Sequence, residues 1–227
     1  GLGDVYKRQL NCVYILIERV RKIGTIIYLH TILKGKAMSK KNTPEYVKEI
    51  RKNKYSMDGN IEKIFSECEI TSYPINVFQI ARTLEFEIVY GKFKQENVYG
   101  VMWDGNEPLY VGGKKLYRAI VLNKQDSLER QAFTVAHEIG HFMLHCQDDR
   151  NFYERYHGGA EQTESEKMIE DQADFFAANL VLPQKLIKAY IAQHRFLSKT
   201  ELISKICKDF LVEKDTVLKR FEELGYE

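Results

Sequence analysis

No C-x-x-C pair and no apolar run of bilayer length occurs in this 227-residue chain. A membrane-spanning helix needs roughly 18–20 consecutive apolar residues, so an integral helical membrane protein is not expected. Four scattered cysteines (Cys12, Cys68, Cys146, Cys207) suggest a reducing, cytoplasmic compartment rather than a disulfide scaffold. Repeat periods and low-complexity tracts are missing too. What is present, 44% apolar, 12% aromatic and 29% charged residues, excludes wholesale disorder and suffices for a buried core in one domain or two small ones.

A strong charge of one sign is also lacking, since the net charge is +2. Its distribution is uneven. Residues 1–37 hold seven basic against two acidic residues, and 38–57 hold six against two, whereas 58–227 hold 21 against 28. The body is mildly acidic, so no direct nucleic-acid partner is expected from its charge.

Val13 to Leu33 is apolar-rich but broken by Glu18, Arg19, Arg21, Lys22 and His30, and it lacks a signal-peptide cleavage site. Met38-Ser39-Lys40-Lys41 reads as a natural start, behind Lys34-Gly35-Lys36-Ala37, whose codons suit a ribosome-binding site. The opening nine residues resemble a translated sequencing adaptor. Residues 1–37 are therefore expected to be an untranslated leader or artefact, the alternative being an amphipathic surface helix.

From Thr43 to Cys68 the apolar spacing predicts two short helices divided near Met57-Asp58-Gly59-Asn60, and Ile75 to Leu84 predicts a third. Strand patterns follow at Phe86–Tyr90, Val98–Trp103 and Arg118–Leu122, with a short piece at Pro108–Val111. Turns at Gly91, Asp104-Gly105 and Gly112-Gly113 suggest a small antiparallel meander. Asp126 with Glu129 resembles a capping box opening a long helix to about His145. A loop from Cys146 to about Gln162 leads to a second long helix, about Glu164 to Leu182, ending at Pro183. A helix near Thr200–Phe210, a break at Leu211–Lys214 and a last helix, Asp215–Leu224, complete the chain.

His137-Glu138-Ile139-Gly140-His141 is an H-E-x-x-H motif within the first long helix. Residues four apart share a face, so both imidazoles can reach one ion, and Glu138 is placed to act as a base on water at the metal. Two imidazoles and a carboxylate suit catalytic zinc with a fourth position open. A metzincin is excluded, because Leu144 and Gln147 stand where that class needs Gly and His. His145 lies a full turn beyond His141, where packing or helix capping is the commoner role. The better third ligand is Glu170, with Asp174 four residues on accepting a hydrogen bond from a ligand histidine. Both border the apolar stripe of Ala173, Phe176, Ala177, Leu180 and Val181; the alternative is an exposed acidic face continuing Glu161, Glu164 and Glu166.

Ala132–His145 followed by Glu170–Pro183 resembles the ImmA/IrrE family of bacterial metallo-endopeptidases. Its E-x-x-A-[DN]-x-F-A-A motif is matched at Glu170, Ala173, Asp174, Phe176, Ala177 and Ala178. Ile120–Asn123, Arg130 and Phe133-Thr134 resemble its lead-in, and Leu182 stands where the family commonly has Met. The resemblance implies an α+β, zincin-like fold: a small antiparallel sheet on the H-E-x-x-H helix and a second metal-ligand helix, then a helix-turn-helix-like tail. It implies Zn2+ held by His137, His141 and Glu170, with Glu138 as catalytic base. Tyr153, Tyr156 and His157, in the loop between the two helices, are candidate oxyanion donors. The substrate implied is a transcriptional repressor or antitoxin of a mobile element; the alternative is a zinc-containing regulator that sequesters a repressor without cutting it. The tail holds eight basic and seven acidic residues over 186–227, so packing or substrate docking is favoured over groove reading. The expected divisions are a leader at 1–37, a helical segment at 38–72, a peptidase domain at 73–185 and a helical subdomain at 186–227.

Overall fold

The computed structural model describes residues 43–93, 98–111, 114–146, 152–156 and 163–226. The expected leader and the Met38 start lie outside the described residues. Helix α1 (Glu45–Lys52) buries Tyr46, Val47 and Ile50, and α2 (Met57–Glu67) buries Ile61 and Ile64. The division between them falls at 53–56 rather than within Met57–Asn60, because Asn53 closes α1 by donating its N–H to Glu49 and Ile50. The Asn60 side chain then donates to the Asn53 carbonyl at 3.1 Å, folding the first turn of α2 back on that end. Helix α3 (Val77–Thr83) is capped by Asn76, whose side chain accepts the Gln79 N–H.

Strands β1 (Glu87–Gly91), β2 (Val98–Val111), β3 (Lys114–Asn123) and β4 (Phe152–Tyr156) form one sheet in the order β1-β3-β2-β4. The sheet is mixed, not the antiparallel meander expected: β1 runs parallel to β3, Glu87 beside Ala119 through Gly91 beside Asn123, while β2 is antiparallel to β3 and β4. The reason lies in β3. Ala119, Ile120, Val121 and Leu122 are all buried, and such a continuous run needs cover on both faces and suits a central strand. Ile120 and Leu122 join the main core, whereas Val121 packs with Val98, Val101 and Phe93 on the other side.

Pro108–Val111 is not a separate strand but the far half of β2, reached through a register shift between Asp104 and Leu109. The expected turn at Asp104-Gly105 is thus an irregularity inside a strand, and bulges of this kind re-aim side chains. Asp104 is turned inward, where its Oδ1 accepts from Arg118 Nε at 2.9 Å. The Arg118 side chain is fully buried; it also donates to the Leu84 carbonyl at 3.0 Å and lies 4.9 Å from the Phe142 ring centroid. One cation thereby joins β3, β2, the end of α3 and the following long helix.

Helix α4 (Leu128–Leu144) is capped by Ser127, not Asp126, the Ser127 Oγ accepting the Arg130 N–H at 3.2 Å. Asp126 belongs to the preceding turn, its N–H bonded to the Asn123 carbonyl. Helix α5 (Glu164–Val181) opens with a full capping box of Thr163 and Glu166. An unanticipated helix, α6 (Gln184–Gln193), follows directly, because Pro183 both ends α5 and stands as the cap of α6. Helices α7 (Lys199–Phe210) and α8 (Lys214–Glu223) are joined through Leu211 in the left-handed region, φ 55°.

A single buried cluster runs from Tyr46 to Phe221, so the tail helices share their core with α4 and α5. Arg220 of α8, also buried, donates to the Leu182 carbonyl at 3.0 Å and to Asn179 Oδ1 at 2.8 Å. Among the described residues no helix is long and apolar enough to cross a membrane.

Removing one partner of a buried ion pair leaves an uncompensated charge. Arg118→Ala should therefore destabilise the protein by about 3–5 kcal/mol in urea unfolding, whereas replacing the pair together (Arg118→Met with Asp104→Leu) should recover most of that loss.

Candidate metal centre

The centre is assembled where α4 crosses α5. Glycine inside a helix costs about 1 kcal/mol relative to alanine, so one that persists there marks a close approach. A Cβ on Gly140 would stand 3.1 Å from the Ala173 carbonyl oxygen, 3.1 Å from Phe176 Cδ1 and 3.3 Å from Ala173 Cα. The backbones of the two helices therefore touch between His137 and His141 on one side and between Glu170 and Asp174 on the other. A second glycine acts from the sheet: a Cβ on Gly100 of β2 would meet Thr134 Cγ2 at 2.4 Å and lie 3.6 Å from Glu138 Oε1. Neither glycine was singled out from sequence, although Gly140 inside the helical pattern carried the signal.

Within that frame His137, Glu138 and His141 are all buried. His137 Nε2 lies 2.9 Å from His141 Nε2 and 3.2 Å from Glu170 Oε2, and His141 Nε2 lies 3.3 Å from Glu170 Oε1. Donors of a tetrahedral zinc site with bonds near 2.0–2.2 Å stand about 3.3 Å apart, so this triangle has the dimensions and the donor chemistry that such an ion takes. The three residues form the group of possible metal ligands found among the described residues.

The surroundings prepare the donors. Asp174 Oδ1 is 2.8 Å from His137 Nδ1. A proton shared there leaves the Nε2 lone pair facing His141 and Glu170. Burial pushes the Glu170 carboxyl up, but the facing His137 and His141 imidazoles outweigh it and hold the group down at about 2. An ionised carboxylate facing two imidazole nitrogens is the protonation state that metal binding needs.

His145 stands at the C-cap of α4, its ring centroid 5.7 Å from that of His141, outside the donor group. Burial, with His141 and Lys54 nearby, lowers it to about 4 and keeps it neutral. The far end of α4 is held from the opposite side by Arg51 of α1, which donates to the Phe142 carbonyl at 2.9 Å.

Of the oxyanion candidates, Tyr153 and Tyr156 lie on β4, not in a loop; they are register partners of Met102 and Val98 on β2. A strand arises there because β2 offers an unpaired edge that its own sequence does not disclose. His157 lies outside the described residues.

Two substitutions test this assembly. Gly140→Ala should force the helices apart, costing about 1–3 kcal/mol in urea unfolding, and should weaken zinc binding measured by chelator competition. Asp174→Ala should leave the fold intact and lower zinc affinity by roughly 10–100-fold.

Comparison with known proteins bears on this geometry. The Peptidase_M78 family, described as IrrE N-terminal-like domain, matches residues 81–222. No curated protein matches the chain. Among solved structures, a Mycobacterium tuberculosis transcriptional regulator is similar, with 15% identity and a TM-score of 0.44 over 78% of this chain. The match spans 51% of that regulator, about half its length.

Proposed function

The chain belongs to the Peptidase_M78 family of IrrE N-terminal-like domains, and from that premise we propose that it is a cytoplasmic zinc endopeptidase that cleaves a regulatory protein. The observation that carries the reading is the convergence of His137, His141 and Glu170 beside the buried carboxylate of Glu138. His137, His141 and Glu170 would hold the ion, and zinc is the assignment best suited to two imidazoles and one carboxylate. When bound, such an ion supplies Lewis-acid polarisation of the scissile carbonyl and makes water a stronger acid.

The chain's own residues do the rest. Glu138 accepts the proton of the attacking water and returns it to the departing amine, as one carboxylate in a buried site can. Asp174 fixes the His137 ring through its Nδ1 hydrogen.

The substrate proposed is a helix-turn-helix repressor or an antitoxin of a mobile element. Support for a protein partner rather than DNA comes from α8. Its Arg220 is committed to Leu182 and Asn179 in the interior, so the helix that would read a groove presents Lys214 and Lys219 as its basic groups.

Glu138→Gln separates cutting from holding. The variant should retain zinc and lose cleavage of a co-expressed helix-turn-helix repressor by about 100-fold or more. Undiminished cleavage overturns the assignment of Glu138, and equal relief of repression by both proteins, with the repressor intact, favours sequestration.

A further inference from the structure

An extended peptide gains affinity by adding main-chain hydrogen bonds to an unpaired sheet edge. In this sheet the strand beside the centre is β2, since Gly100 brings its backbone against Thr134 and close to Glu138. The outer edge of β1 lies on the far side of β3. A peptide presented to Glu138 along the sheet would therefore use the outer edge of β2. That edge is taken. Strand β4 covers it in antiparallel register, Phe152 beside Trp103, Tyr153 beside Met102, Glu154 beside Val101 and Arg155 beside Gly100.

The covering strand comes from the chain between α4 and α5, the two helices that build the centre. It is five residues long, packs on β2 and α4, and has no strand on its other side among the described residues. A short strand held by one neighbour belongs to the least stable part of a fold. The register shift between Val98 and Gly100 interrupts its ladder further.

We infer that β4 is an internal strap: it occupies the β2 edge in place of an extended substrate segment, and it must leave that edge before a peptide can pair there beside Glu138. This rests on the peptidase reading for the identity of the displacing segment. The strap keeps the buried base away from unselected chains, and a partner protein whose own extended segment outcompetes β4 opens the site by strand exchange.

The test uses the full chain carrying Glu138→Gln, so that nothing is cut. Successive residues of a strand direct their N–H groups to opposite sides, so Glu154→Pro with Arg155→Pro removes a donor facing β2 whichever residue supplies it. The probe is a fluorescein-labelled peptide copying residues 150–158, followed by anisotropy. The strap-broken protein should bind it at least tenfold more tightly than the strap-intact protein, with new hydrogen-exchange protection at 98–103. Equal affinity in the two proteins, or tighter binding without protection at 98–103, overturns the strap. Should the proline pair impair folding, the same comparison with Glu154→Gly and Arg155→Gly decides. Restoring Glu138 tests the other reading separately: a peptide held by the opened, zinc-loaded protein but never cut counts against the peptidase and leaves the strap standing.

Discussion

The contact on which the rest depends is the backbone approach of α4 and α5 at Gly140 and Ala173. A carboxylate and two imidazoles can share one ion only if their helices lie close enough for short side chains to meet. A Cβ at position 140 would press on the carbonyl and Cα of Ala173, atoms that cannot rotate away. The residue lodged between the two histidines is thus the one that sets their distance from Glu170. Apolar packing supplies the force: Ile139, Phe142, Phe176, Ala177 and Leu180 lie in the same buried cluster.

Around that crossing the fold is tied by arginines, Arg118 and Arg220 buried and Arg51 half-buried. Arg118 joins two strands and the end of α3 beneath Phe142, Arg51 holds the Phe142 carbonyl, and Arg220 caps the end of α5 at Leu182. Arg118 and Arg220 are planar and multiply hydrogen-bonded, the form of charge that an interior tolerates. Their common effect is to hold the C-terminal ends of the two helices that meet at the centre. Arg220 also explains why the tail, helix-turn-helix-like in sequence, is integral to the core. Its packing consumes a cation that a nucleic-acid reader would display.

Much of the centre was legible before any fold was known. His137 and His141, and likewise Glu170 and Asp174, lie four residues apart on one helix, so their sharing of a face follows from helical pitch. The long helices were equally plain, because their apolar stripes exceed any strand length. Errors cluster where the signal is short or shared. Asp126 and Ser127 are both good caps, and only the geometry of the Arg130 N–H chooses Ser127. The helix at 184–193 is hidden by Pro183, which signals the end of one helix as readily as the start of the next. Phe152–Tyr156 has too few residues to distinguish a strand from an aromatic loop.

Sequence alone thus determined what depends on neighbours along the chain: the long helices, the faces they present, the donor types and the acidic character of the body. Tertiary structure decided what depends on partners far away. It placed β1 beside β3, drew β4 onto β2, turned Asp104 inward to Arg118 and set the distance between the two helices that carry the candidate ligands. The physical reason is one of range. Helical periodicity is written in residues three and four apart, whereas a strand's partner and a glycine's neighbour are chosen by whichever distant surface buries most and leaves fewest polar groups unmet.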